Sequence, residues 1–486
     1  MFLGVYAFVY SHAKVVFFDG IYKIIGHFFA YIGKKQKLCG EMERQVLHIS
    51  PWWWVPTLYF AEGVPYFLVT SVSITLFTQL GVPNGEMALF TSLITFPWVL
   101  KPLWSPFVDV LRTKRWWVLV MQAVMAAAML GVALAVAGCA FPKTEGTLTI
   151  PATVAIALVF FTITAFASAT HDIAADGYYM IALSEHQQSA FVGLRSTFYK
   201  IANIFCQSAL LLIVGWLQRY TTVAVSWTYV LLGCSGLLAA LAVWHAWTMR
   251  VEEGHNYNGR NTQSIQKIQS TQITPPSNTA AIFREVGETF VSFFRKPQIA
   301  LALCFMLVYR LPEALLLKLC NPFFLAKQTD GGLELSVATV GEIYGIGVVL
   351  MLAGGIAGGL LVSRWGLKKT FIPLALWLTL PCIVYIYLAA GQPTSFWLIA
   401  LCIGFEQLGY GLGYTICMVY MMRFADGAHK TAHFSLCTAF MFLGLLLPGL
   451  VAGYVEQATG YLGFFWVVMV CCIPSIAVAV AVWRKL

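Results

Sequence analysis

From Trp54 to Val482 the chain is a succession of apolar runs of about twenty residues or more, parted by short polar stretches. A run of that length crosses a ~30 Å hydrocarbon core as a helix. The runs lack the period-2 alternation of a membrane barrel, and backbone groups in lipid must be bonded within their own segment, so helices are the expected form. The pattern predicts twelve spans, near 53–78, 87–110, 116–140, 151–180, 190–217, 225–248, 298–325, 339–362, 370–390, 396–422, 431–454 and 462–483. One long polar interruption, residues 250–296, separates a first group of six (51–249) from a second (297–486). Its first part is rich in Asn, Gln, Ser and Thr and reads as a flexible linker. Its second part spaces Phe283, Val286, Phe290, Phe293 and Phe294 on one helix face, suited to lying along a membrane surface. Residues 1–33 are apolar but broken by Lys14, Asp19, Lys23 and His27, and residues 1–50 read as an N-terminal extension, either an interfacial helix or a non-essential segment, in preference to a thirteenth span.

Composition agrees with this pattern. Hydrophobic residues make up 59% of the 486 and charged residues 10%, too few charges to cover a water-facing surface. The net charge of +9 does not point to nucleic acid, because the Lys and Arg sit in loops between apolar runs. One set of loops carries Arg112, Lys114, Arg115, Arg364, Lys368, Lys369, Arg423, Lys430, Arg484 and Lys485; the other carries Lys143, Arg219 and Lys327. That imbalance predicts a cytoplasmic position for the first set and for both termini. The 12 cysteines show no CxxC spacing and read as small buried thiols.

The two groups of spans also carry a repeat. Trp104-Ser105-Pro106-Phe107-Val108-Asp109-Val110-Leu111-Arg112-Thr113-Lys114-Arg115 follows the second span, and Gly359 to Lys369, with Arg364, Gly366 and Lys368, follows the eighth. Ala175-Asp176-Gly177 and Ala425-Asp426-Gly427 end the fourth and tenth. Two similar halves about a linker imply rocking around a central cavity.

These basic turns resemble the loop signature of the major facilitator superfamily, with Ser105 where a Gly usually stands and Ser363 in the acidic position of the second copy. Several stretches resemble the AmpG-type muropeptide permeases and their relatives, a group that also includes acetyl-CoA transporters. They are Tyr59-Phe60-Ala61-Glu62-Gly63-Val64-Pro65, then Lys101-Pro102-Leu103-Trp104-Ser105-Pro106 with Asp109, and Ser168-Ala169-Thr170-His171-Asp172-Ile173 with Asp176. Two positions depart from that group's pattern: Glu62 replaces a small residue and His171 a Gln. The resemblance implies an all-α membrane protein of two six-helix bundles. It further implies proton-coupled import of anhydro-sugar peptides across a bacterial inner membrane, for peptidoglycan recycling. It makes Asp109, Arg112, Lys114, Arg115, Gly359, Arg364, Gly366, Lys368 and Lys369 the loop clamps.

Ionisable groups within spans cost ~2.5–3.5 kcal/mol each on insertion scales, so each needs a partner or a wet cavity. Glu62, beside helix-loosening Gly63 and Pro65, is either a proton carrier or a carboxylate held by a base such as Lys101 or Arg310. Glu406 is a second proton-coupling candidate and Asp172 a third. Arg310 and Glu313 lie one turn apart around Pro312, so Arg310 either meets an anionic cargo or satisfies Glu313. Lys318, Gln407, Tyr410, Tyr414 and Tyr66 join them as substrate-binding candidates, the tyrosines offering ring faces to sugars. His171, Asp172, Asp176, Arg195, Lys200 and Lys101 are expected in ion pairs across helices, serving as a gate or as scaffold. His171, Asp172 and Asp176 do not suit a metal, since adjacent residues point about 100° apart on a helix.

With no GxxxxGK[ST] phosphate loop, the energy is expected from an ion gradient, a proton gradient by the resemblance, or from the cargo's own gradient, and no cofactor or metal is expected. A small amphiphilic anion is the expected cargo and the bilayer the surroundings, with the chain acting as a monomer. The alternatives are an exporter of drug-like or CoA-type cargo and, more remotely, a membrane enzyme working through His171 and Asp172.

Overall fold

A computed structural model describes residues 50–138, 150–183, 185–249, 279–427 and 430–486. The expectations for residues 1–49 and for the linker 250–278 lie outside these. The first six spans are α1 Pro51–Gln79, α2 Asn84–Ser105, α3 Lys114–Ala137, α4 Ala152–Ala182, α5 Gly193–Leu217 and α6 Val223–Thr248. The surface helix α7, Thr279–Phe294, follows. Then come α8 Ile299–Leu325, α9 Val337–Trp365, α10 Leu367–Gly391 and α11 Phe396–Phe424. The last apolar stretch, Lys430–Trp483, is two helices, α12 and α13, meeting at Gly460, where φ 67° and ψ 170° turn the chain in a way that only glycine adopts readily. Among the described residues twelve segments are thus long and apolar enough to span a membrane, and the chain is a multi-pass membrane protein.

The packing repeats. In the first half α1 lies against α5, α2 against α4, and α3 against α4 and α6. In the second half α8 lies against α12, α9 against α11, and α10 against α11 and the last helix. Between the halves α2 meets α12 and α5 meets α9, two contacts that a pseudo-two-fold axis exchanges.

Prolines break three spans near their middle. The helix stops at Ile94–Thr95 ahead of Pro97, at Tyr309–Arg310 ahead of Pro312, and at Leu380–Cys382 around Pro381. Freed carbonyls need donors where no water reaches, and Ser475 Oγ donates to Tyr309 O at 2.5 Å. α1 runs through Pro65 and relaxes into a π turn at Leu68–Val72; α5 has another at Phe205–Ala209. Gly63 makes their crossing possible, since a Cβ there would sit 2.7 Å from Ala202 Cβ and 3.1 Å from Tyr199 O.

α7 is anchored to the second half by buried Phe293, by Ser292 Oγ 3.0 Å from His433 Nε2, and by the Lys296 ammonium just beyond it, which donates to Phe424 O and Asp426 O.

One end of the molecule is sealed between the halves. A Cβ on Gly453 would fall 1.9 Å from Asn84 O, one on Gly341 2.9 Å from Ser208 O, and one on Gly215 2.6 Å from the Ala338 backbone nitrogen. Asn84 Nδ2 adds hydrogen bonds to Glu456 Oε2 at 2.8 Å and to Tyr461 Oη at 2.9 Å. Toward the opposite, basic end, Gly359 has nothing within 4 Å of its would-be Cβ.

Candidate functional site

Between the halves lies a cavity of about 150 Å³. Its walls are Glu62, Tyr66, Trp98, Lys101, Pro102, Ser105, Ser168, Asp172 and Tyr199 from the first half and Ser435, Thr438 and Phe442 of α12 from the second. The α1–α5 crossing at Gly63 sets Glu62 and Tyr66 beside Tyr199, and Tyr66 packs edge-on against Trp98 at 5.1 Å and Phe442 at 6.3 Å.

On one wall three acids converge. Glu62, Asp172 and Asp176 each present a carboxylate oxygen within 4.8 Å of the others. Two bases answer them. Lys101 pairs with Asp172, and Arg195 Nη2 lies 2.7 Å from Asp176 Oδ1. Tyr59 Oη also donates to Asp176 Oδ1 at 3.1 Å, and Arg195 sits over the Tyr59 ring at 4.5 Å. Both ion pairs are partly exposed, at 28% and 19% for Lys101 and Asp172, which line the cavity, and 34% and 32% for Arg195 and Asp176, which lie beside its lining. Glu62 is buried at 7% and its Oε2 has no partner. Three acids thus face two bases, and Glu62 is the acid of the three that pairs with neither base.

The expected ion pairs are redistributed. Lys200 has no ion-pair partner among the described residues; Lys101 takes its place against Asp172. His171 joins no ion pair either. It is fully buried with its Nε2 3.0 Å from Gln122 Nε2, while Gln122 Oε1 lies 3.0 Å from His245 Nδ1 and His245 Nε2 lies 2.9 Å from Thr57 Oγ1. This hydrogen-bonded chain ties α4, α3, α6 and α1 together. Gln122 and His245 carry no motif, and a His on α6 facing a Gln on α3 was visible only as two lone polar residues in apolar runs.

The second half holds two further groups that are not part of the cavity lining. Arg310 forks onto Glu313 through Nε at 2.7 Å and Nη2 at 2.5 Å, and Nη2 reaches Tyr410 Oη at 3.1 Å. Tyr414 stacks beside Tyr410 at 5.7 Å and lies 4.9 Å under the guanidinium. Glu406 is buried and accepts from Gln407 Nε2 at 2.9 Å and Tyr385 Oη at 3.4 Å, with no base against it among the described residues.

Of the loop clamps, Arg115 Nη2 donates to Ala246 O at 2.8 Å, Arg112 sits over Trp116 at 5.8 Å, and Lys114 is buried with its stem against Gly177. The Asp109 side chain lies outside the described residues. In the second copy Arg364, Lys368 and Lys369 are exposed, and Gly366 takes φ 79° at the turn.

Comparisons with known proteins match this geometry. The solved inward-open xylose transporter XylE from E. coli superposes with a TM-score of 0.62 at 10% identity, covering 88% of this chain and 94% of that one. The chain has the major facilitator fold. Residues 53–206 match the family model described as acetyl-coenzyme A transporter 1. A transporter named AmpG 1 of Rickettsia felis is 26% identical over 188 residues, 39% of this chain and 41% of that protein, so the match spans less than half of that relative. The anhydromuropeptide permease of Escherichia coli is 23% identical over 445 residues, 86% of this chain and 77% of that protein. These relatives and structural neighbours of major facilitator type are transporters and not enzymes.

Proposed function

We propose that this chain is a proton-coupled secondary transporter that imports an amphiphilic, anionic cargo of the anhydromuropeptide class across a bacterial inner membrane by alternating access. The observation that carries this reading is the cluster of three carboxyls and two bases that meets the cavity through Glu62, Asp172 and Lys101, with Glu62 Oε2 unpartnered. When the halves rock, the cavity changes the water it meets, and Glu62 exchanges its proton with that side. Loss of the proton leaves a third carboxylate competing for Lys101 and Arg195, which loosens the wall that α1, α2, α4 and α5 build together.

A cavity of about 150 Å³ is below the ~300–1,000 Å³ of a site for a drug-sized ligand, so the halves part further to admit cargo. The family model matched by residues 53–206 favours a second reading for the cargo, a CoA-type molecule with phosphate groups. Both readings share the coupling step.

Reconstitution into liposomes loaded with a pH dye tests the coupling. Cargo entry should acidify the lumen, and Glu62→Gln should abolish that proton movement while leaving cargo exchange between the two sides. Cargo flux without proton movement in the unaltered protein would refute it.

A further inference from the structure

Lys318 is one of the charged groups that the coupling step leaves unused. It projects from α8 about one and a half turns beyond Glu313, toward the sealed end, and is buried at 7% exposure. No acid pairs with it among the described residues; its ammonium has one hydrogen bond, to Thr91 Oγ1 of α2 at 3.3 Å. An ammonium in a low-dielectric interior is costly unless an anion and hydrogen-bonding groups meet it.

One group near it is itself unmatched. Ser92 Oγ, fully buried beside Thr91, has no partner. Gly449 of α12 lies close to Ser92 and Lys318: a Cβ there would fall 2.5 Å from Ser92 Oγ and 3.1 Å from Lys318 Cε, so the glycine lets α12 pack against both. One ammonium and two hydroxyls thus meet from both halves; the Thr91 hydroxyl donates to Met87 O at 2.8 Å and accepts from Lys318, which leaves the Ser92 hydroxyl as the spare donor.

Arg310, the other buried base of this half, does not offer the same thing. Both of its parallel N–H groups already hold Glu313. A new anion there would have to displace a carboxylate.

We infer that Lys318 and Ser92, with Thr91 orienting the ammonium, form a binding site for a carboxylate or phosphate group at the interface of the two halves, entered when the halves part. The inference rests on the transporter reading and gives that reading its point of charge recognition. Because α2 and α8 both contribute, an anion held here bridges the two halves at the sealed end and supplies the counter-charge that the ammonium lacks.

The test uses the full chain in lipid nanodiscs, with acetate, methylphosphonate and neutral acetamide titrated against thermal unfolding. Acetate or methylphosphonate should stabilise the unaltered protein where acetamide does not, and the stronger of the two identifies a carboxylate or a phosphate site. Lys318→Met should weaken that response by at least about thirtyfold in apparent affinity, and Lys318→Arg should retain it. Equal responses to the three solutes, or an undiminished anion response in a folded Lys318→Met protein, would overturn the site. Thr91→Val with Ser92→Ala gives the same reading if Lys318→Met fails to fold. Proton movement in the liposome assay without an anion response would sink this inference alone, whereas an anion response without proton movement would sink the coupling reading alone.

Discussion

Lys101 shows how a charge in an apolar run acquires a role that its neighbours in sequence do not reveal. Near the end of α2 its stem could have reached the lipid headgroups; instead the fold brings Asp172 of α4 against it. Removing the base leaves Asp172 beside two other carboxyls, so Lys101→Met should destabilise the protein by about 1–3 kcal/mol, less than for a fully buried pair because the cavity wets the site. Lys101→Met combined with Asp172→Asn should recover most of that loss. Equilibrium unfolding of the two single variants and the double variant measures the coupling, and strictly additive losses would show that the pair contributes nothing. The presence of Glu62, Asp172, Asp176, Lys101 and Arg195 in spans was legible in the sequence, because intramembrane charge is rare enough to stand out. Their pairing was not, since it depends on helix rotation and on close crossings such as Gly63 against Ala202. His171 misled for the same reason: its neighbour in sequence is Asp172, but its partner in space is Gln122.

At the scale of helices, the spans themselves were readable from hydropathy, and the proline breaks at Pro97, Pro312 and Pro381 follow from the missing N–H and the ring. The sealed end was not readable, because a glycine in a transmembrane run says nothing about which backbone it meets. Gly453 meets Asn84 O so closely that any side chain forces the helices apart. Gly453→Ala should disfavour the sealed arrangement by about 1–3 kcal/mol. Spin labels at Gln218 and Lys327, in the loops at that end, should then show a longer inter-label distance population than in the unaltered protein. An unchanged distribution would mean that the α2–α12 contact does not hold this end shut.

The whole molecule reconciles lipid with charge by placing its acids and bases where two bundles meet. The first half supplies the acid cluster, the second supplies α12 as the facing wall and Lys318 near the seal, and the same pair of swapped contacts, α2 with α12 and α5 with α9, joins them. Hydropathy and the repeated turns disclosed the two-half architecture; the asymmetry of the charges within it required the packing. The central claim is that the three-carboxyl cluster retains one exchangeable proton on Glu62. Infrared difference spectroscopy between the unaltered protein and Glu62→Gln at neutral pH tests it directly. A protonated-carboxyl stretching band present in the first and absent from the second, and shifted by deuterium exchange, is the expected result; identical spectra in the carboxylic-acid region would contradict it.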